Sequence, residues 1–318
     1  MICFQTDQFE VELPPGHRFP IGKYRMLRQR LQDHSEIQLR VAESIAPDQL
    51  KSVHTHDYID RVLANQLTPA EVRRLGFPLS PALVQRGMAV VGATLQACRT
   101  ALKVGRAANL AGGTHHSYPD HGEGYCLLND VAVALRQLLL HGDIKRAVIV
   151  DLDVHQGNGN AAIFADDPNI FTFSMHGKNN YPFRKERSDL DIELPDGCDD
   201  QHYLDSLVRA LEIVKDQPAD LWIYLAGADP FYDDTLGKLS LSEAGLLERD
   251  RLVQQAFDGP IAVTMAGGYA KDIADVANIQ ARSCLLFSGL STAQVLQRLP
   301  ARNPISKLEH ASASSLAE

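Results

Sequence analysis

Residues 148–159 read VIVDLDVHQGNG. The apolar run Ala147–Val150 lacks the polar alternation of a half-exposed strand. That is the pattern of a strand covered on both faces, as in parallel sheets flanked by helices. Past its end stand Asp151, Asp153 and His155 at alternate positions. An extended chain points residues i, i+2 and i+4 to one side, so two acids and an imidazole converge if the extension continues. Buried carboxylates need a counter-charge or a metal, and the other strand ends are where further ligands are expected.

Similar apolar runs recur at 1–4 (MICF), 108–112 (ANLAG), 170–175 (IFTFSM), 221–226 (LWIYLA) and 261–266 (IAVTMA). Helical patterns lie between them. Thr68 to Glu71 has capping-box spacing, and Ser80–Pro81 supplies an N-cap before a long apolar helix. Helices are also expected from Asp130 to His141 with Gly142 as its stop, from Tyr203 to Val214, and from Glu243 to Phe257 behind a capping box at Ser240 and Glu243. Strands alternating with helices imply an α/β fold, a mainly parallel sheet with helices on both faces. We find no repeat and no linker, so residues 1–308 are read as one catalytic domain and 309–318 as a flexible tail.

In such sheets ligands bind beyond the carboxyl ends of the strands. There the chain places His115 and His116, then Asp151, Asp153 and His155, then His176, Asp229, and Gly267–Gly268–Tyr269. A single histidine or an Asp-Pro pair after a strand is ordinarily a hydrogen-bonded residue or a turn opener. Chemistry-bearing groups at five strand ends on one sheet edge argue for a site. Asp153, His155 and Asp229 form the expected metal set, three protein ligands leaving room for water as in catalytic zinc sites. Iron(II) or cobalt fits the same donors. The tandem histidines are candidates for general base and acid, and Tyr269 for an oxyanion donor.

The chain has 318 residues, 45% of them hydrophobic, and a net charge of -9. That balance argues against general nucleic-acid binding and suits a cationic substrate. Five scattered cysteines without a CxxC pair fit reduced thiols in a cytoplasmic protein. The start, MICFQTDQFE, lacks a signal-type core, and no stretch approaches a membrane span.

GGTHH, DLDVHQGNG, LAGADP and AGGY, in this order and spacing, resemble the zinc-dependent histone deacetylase family. HRFPIGKYRMLRQRL, VHTHDYI (53–59), GEGYCLLND (122–130) and DDTLGKLSLS (233–242) are similar to further family segments. The style is nearest the class IV branch and its bacterial amidohydrolase relatives. The resemblance implies an arginase/deacetylase-like fold and hydrolysis of acyl-lysine, with Asp153, His155 and Asp229 as zinc ligands. It makes His115, His116 and Tyr269 catalytic, supported by Asp151 and Asn158. It also implies a structural potassium ion at Asp151, Asp153, His155, Ser174 and Met175, and an acyl-lysine tunnel lined by Gly124, Tyr125 and Tyr181. Where class I members carry a histidine and an aspartate, this chain has Gln156 and Asn158, so His116 should be the less basic for it.

The class IV likeness raises long fatty acyl groups beside acetyl as cargo. Relatives of this fold also deacetylate polyamines and other small amides. A manganese ureohydrolase would need a histidine between aspartates, and this order is Asp-x-Asp-x-His. A non-catalytic acyl-lysine binder would not need both histidines, all three ligands and Tyr269.

Overall fold

The computed structural model describes residues 1–9 and 11–301, so the tail expected at 309–318 and the domain boundary before it lie outside the described residues. Among these, eight strands form one sheet: β1 (Ile2–Gln5), β2 (Gln38–Val41), β3 (Arg106–Asn109), β4 (Ala147–Asp151), β5 (Ile170–Gly177), β6 (Leu190–Leu194), β7 (Leu221–Leu225) and β8 (Ile261–Thr264). The order is β2-β1-β3-β8-β7-β4-β5-β6, and every neighbouring pair is parallel.

Both faces of the sheet are covered, and the strands show how. Val148, Val150, Trp222, Tyr224, Ile261 and Val263 enter one apolar cluster. Their neighbours Ala147, Ile149, Leu221, Ile223 and Ala262 enter another, as the two-residue period of a strand dictates. The first cluster is closed by helices Lys23–Leu31, Asp200–Val214, Glu243–Ala256 and Ile273–Phe287. Pro81–Val104 and Asp130–Leu140 close the second. Continuous apolar runs are what a strand needs when each face must bury about 1.5–3 kcal/mol per large aliphatic side chain. No helix among the described residues is long and apolar enough to cross a membrane.

Local signals are obeyed where the capping chemistry is strong. Thr68 accepts from Glu71 N while the Glu71 carboxylate reaches back to Thr68. Ser80 accepts from Leu83 N ahead of Pro81–Val104, and Gly142 stops the helix after His141 with φ +71°. Three expectations are corrected. The helix expected from Tyr203 begins at Asp200, because Asp199 caps it through His202 N. The next helix is capped by Ser242, which accepts from Gly245 N, and not by Ser240. Ser242 is also anchored through its hydroxyl and amide to Asp200. Strand β3 ends at Asn109, so the rest of ANLAG is already loop. The Asn109 side chain takes the amide of Ala111 and turns the chain out of the sheet toward GGTHH.

Candidate active site

Four strands at the centre of the sheet, β3, β8, β7 and β4, are neighbours in that order, and their carboxyl ends carry the predicted cluster. His115 and His116 follow β3, Tyr269 follows β8, Asp229 follows β7, and Asp153 and His155 follow β4. His176 lies within β5 and does not line the cavity. Its Nδ1 is 2.9 Å from the Ser174 hydroxyl, and burial pushes its pKa down to about 4.

Backbone amides fix both acids, and Asp153 Oδ1 accepts from His155 N at 2.9 Å. Asp153 Oδ2 accepts from Gly267 N at 2.7 Å, and Asp229 Oδ1 accepts from Val154 N at 2.9 Å. The remaining oxygens face His155 Nδ1, Asp153 Oδ1 at 2.9 Å and Asp229 Oδ2 at 3.3 Å. Asp229 Oδ2 is buried with no hydrogen-bond partner. Burial first, and then the charge of Asp153, pushes the Asp229 carboxyl up to about 7. Ligand atoms of these three residues all lie within 4.8 Å of one another. An orphaned buried oxygen and two crowded carboxylates around an imidazole nitrogen fit a divalent cation. Gly267 is required at this spot, because a Cβ there would lie 1.8 Å from Asp229 Oδ2.

The two histidines have different partners. His115 Nδ1 donates to Asp151 Oδ2 at 2.7 Å, and its Nε2 lies 3.8 Å from Asp153 Oδ1. Burial opposes its charge, but Asp151 and Asp153 prevail and push its pKa up to about 9. His116 Nδ1 meets Asn158 Oδ1 at 2.6 Å. Burial, reinforced by the neighbouring His115 and His155, holds His116 well below the usual imidazole range.

Glu123, a residue the sequence reading passed over, decides how that pair is protonated. Its carboxylate accepts from Asn158 Nδ2 at 2.7 Å, and the same amide nitrogen reaches Tyr118 Oη at 3.2 Å. The Asn158 oxygen must therefore face His116, so His116 Nδ1 is the donor. In neutral His116 the lone pair is then on Nε2. Glu123 also raises the pKa of the nearby Tyr181 hydroxyl, after burial the next cause. Gln156 turns elsewhere, bonding Glu186 and Asp191.

Tyr269 is held by its backbone. Its amide donates to Asp234 at 2.6 Å, and its carbonyl accepts from Thr235 N and Oγ1. Lys23 Nζ donates to the carbonyls of Ala266 and Gly268 and lies 5.1 Å from the Tyr269 ring centroid. Burial and the Asp153 and Asp229 charges raise the phenol well above its ordinary value, so it stays a donor. A cavity of about 450 Å³ connects Tyr269, His155 and His116 with Gly124, Tyr125 and Tyr181. Gly124, Tyr125 and Tyr181 all line this cavity. Gly124 has φ +55°, and a Cβ on it would lie 2.7 Å from His116 Cδ2.

The GGTHH loop is braced from below by Asp130, also missed from sequence, where it reads only as a helix start. Its carboxylate accepts from Gly113 N, Thr114 N, Thr114 Oγ1 and Thr94 Oγ1. Asp130→Ala is expected to destabilise the fold by about 3 kcal/mol or more, since each orphaned buried donor costs about 1–3 kcal/mol. The denaturant midpoint reads this; an unshifted midpoint would show that water replaces the carboxylate.

The family model described as histone deacetylase domain matches residues 17–283. An uncharacterized protein of Picosynechococcus is 46% identical over 271 residues, covering 83% of this chain and 90% of that one. Histone deacetylase 2 of Arabidopsis thaliana is 35% identical over 193 residues, covering 58% of this chain and 50% of that one. Among solved structures, an HDAC homolog complexed with SAHA superposes with a TM-score of 0.78 at 24% identity, over 94% of this chain and 87% of that one. The last likeness is one of fold.

Proposed function

The chain belongs to the histone deacetylase family, and on that premise we propose that it is a metal-dependent lysine deacylase. Amide hydrolysis follows from the family. The lysine substrate, the metal and the residue roles are our reading, carried by one observation. The buried Asp153, His155 and Asp229 cluster lies beside two differently paired histidines, and His155, His116 and Tyr269 line one cavity.

Asp153, His155 and Asp229 would hold a divalent ion, zinc or iron(II), which when bound would supply Lewis acidity for amide hydrolysis. The protein side of the reaction follows from the hydrogen bonds. His116 Nε2, left as an acceptor by Asn158, takes the proton of the attacking water. Tyr269 donates its hydroxyl proton in a hydrogen bond to the carbonyl oxygen as negative charge develops there. His115, paired with Asp151, carries the proton next to the metal ligands and stabilises that charge. As the C–N bond breaks, the leaving amine takes a proton from the histidine pair. Gly124, Tyr125 and Tyr181 hold the acyl-lysine stem away from water.

We also assign a potassium ion to Asp151, Asp153, His155, Ser174 and Met175, as the resemblance implies. Strand register supports it by setting Asp151 beside Ser174. The five cysteines are all buried and free, which supports a reducing, cytoplasmic setting.

If His116 is the base, Asn158→Asp should move the acidic limb of kcat/KM to higher pH by about one unit. A carboxylate beside an imidazole favours its protonated form, and the base must be neutral to act. A pH–rate profile reads the shift, and a limb that stays in place removes His116 from that role. The new carboxylate would also face Glu123, so the double variant with Glu123→Gln should recover the turnover lost to repulsion while keeping the shift.

The activity itself is tested with lysine peptides carrying acetyl, lactyl, octanoyl or myristoyl groups, run beside acetylated polyamines on metal-loaded protein. Release of acid from at least one acyl-lysine peptide is expected. Turnover of the polyamines alone would contradict the lysine reading.

A further inference from the structure

The cavity that ends at His155 and Tyr269 is also lined by Arg18, Arg73, Arg74 and Lys238, and no acidic side chain is among its lining residues. In a chain of net charge -9 this is a local inversion of sign. The three arginines are exposed, and among the described residues none has a carboxylate partner. Lys238 lies 3.9 Å from Asp196, which offsets part of its charge, so the arginines carry most of the field.

A bland account exists for two of them. Arg73 and Arg74 sit in the last turn of helix Pro69–Leu75, where cations favour the helix dipole. That account does not reach Arg18, in the loop before the first helix, or Lys238, far along the chain. Three separate segments bring cations to one opening. Phe183 stands among them, 88% exposed and 6.3 Å from the Tyr181 ring. An exposed aromatic outside the tunnel has work only if the substrate extends beyond it.

We propose that this mouth selects acyl-lysine within acidic polypeptide segments and discriminates against polycationic amides. The inference rests on the deacylase reading above. With the acyl group at the ligand cluster and the lysine stem along Tyr125 and Tyr181, the flanking peptide residues lie against the arginines. Potentials of this kind steer oppositely charged partners and repel like-charged ones. An acylated lysine is neutral, so it enters without penalty. An acetylated polyamine keeps its other ammonium groups and brings them to a basic rim. The global charge of the chain, which suits a cationic substrate, is thus a poor guide to the mouth.

The test uses three acetyl-lysine peptides that differ only in flanking residues, acidic, neutral or basic, together with monoacetylated spermidine. Turnover is measured on metal-loaded protein. Affinity is measured by competition against a labelled peptide on the Tyr269→Phe variant over times short against its slowed turnover. We expect the acidic peptide to exceed the basic one by about tenfold in kcat/KM at low salt. The ratio should collapse toward one near 0.5 M salt, where the Debye length is only about 4 Å. In Arg73→Glu/Arg74→Glu the ranking should invert. Should that helix end suffer, Arg18→Glu on its separate segment should lower the same ratio.

A flat or basic-preferring ranking at low salt would overturn the proposal, as would faster turnover of the polyamine than of the acidic peptide. Absence of turnover with the affinity ranking intact would instead defeat the deacylase reading and leave the rim selective.

Discussion

Tyr269→Phe is expected to keep its metal and lose about 10²–10³-fold in kcat, the effect of removing one oxyanion donor. The substitution isolates the hydroxyl because the ring is held by other contacts. Phe19 and Tyr125 lie 5.9 Å and 6.0 Å away centroid to centroid, Lys23 sits 5.1 Å from the ring centroid, and Asp234 and Thr235 clamp the backbone. A phenylalanine keeps each of these. Burial, with the charges of Asp153 and Asp229, raises the phenol well above its ordinary value, which favours the donor form. Saturating kinetics with parallel metal analysis check the claim. A variant with unchanged kcat would take Tyr269 out of the reaction.

Asp229→Ala should have the largest effect. Its Oδ2 is the buried oxygen without a partner, and its Oδ1 holds the amide of Val154, one residue before His155. The variant would remove one proposed ligand and loosen the loop carrying another. We expect metal content to fall from about one equivalent to near zero and turnover to drop by at least about 10³-fold, as for loss of the Lewis acid. A stability readout separates metal loss from unfolding. Added zinc should raise the Tm of the wild type, because a ligand that binds only the native state stabilises it. It should leave the variant unmoved. A variant that binds zinc and shifts its Tm like the wild type would mean that Asp229 is not a ligand.

The strands and the site cluster were legible for a shared reason. A parallel sheet buried on both faces demands uninterrupted apolar runs, and a polar residue just past such a run is conspicuous. Hence Asp153, His155, Asp229 and the tandem histidines could be picked from strand ends, and they do converge beyond the carboxyl ends of β3, β7 and β4. His176 met the same rule and proved to be a strand residue bonded to Ser174, because β5 runs on to Gly177 and its end cannot be read from an apolar count. Short edge strands escaped for the opposite reason. In β2 the residues Gln38–Val41 are mostly exposed, so no apolar run marks them.

The supports of the site were the least legible part. Asn158 was read as orienting His116, but the reason its amide faces that way is Glu123, distant in sequence and ordinary in composition. Asp130 likewise reads as an N-terminal helix acid, while its carboxylate faces backward into the GGTHH loop. Such roles depend on which donors lie within 3 Å after folding, and no periodicity encodes that. The charge at the mouth could not be read from the whole chain, since a total of -9 says nothing about where Arg18, Arg73 and Arg74 gather.

We propose that Asp153, His155 and Asp229 hold one metal on which acyl-lysine hydrolysis depends. Chelator-stripped protein titrated with zinc, with acyl-lysine turnover followed at each addition by mass spectrometry, tests it most directly. Turnover is expected to be negligible at the start and to rise linearly to a break at about one equivalent, as a single three-ligand site requires. Full turnover by stripped protein, or none by protein carrying one equivalent, would contradict it.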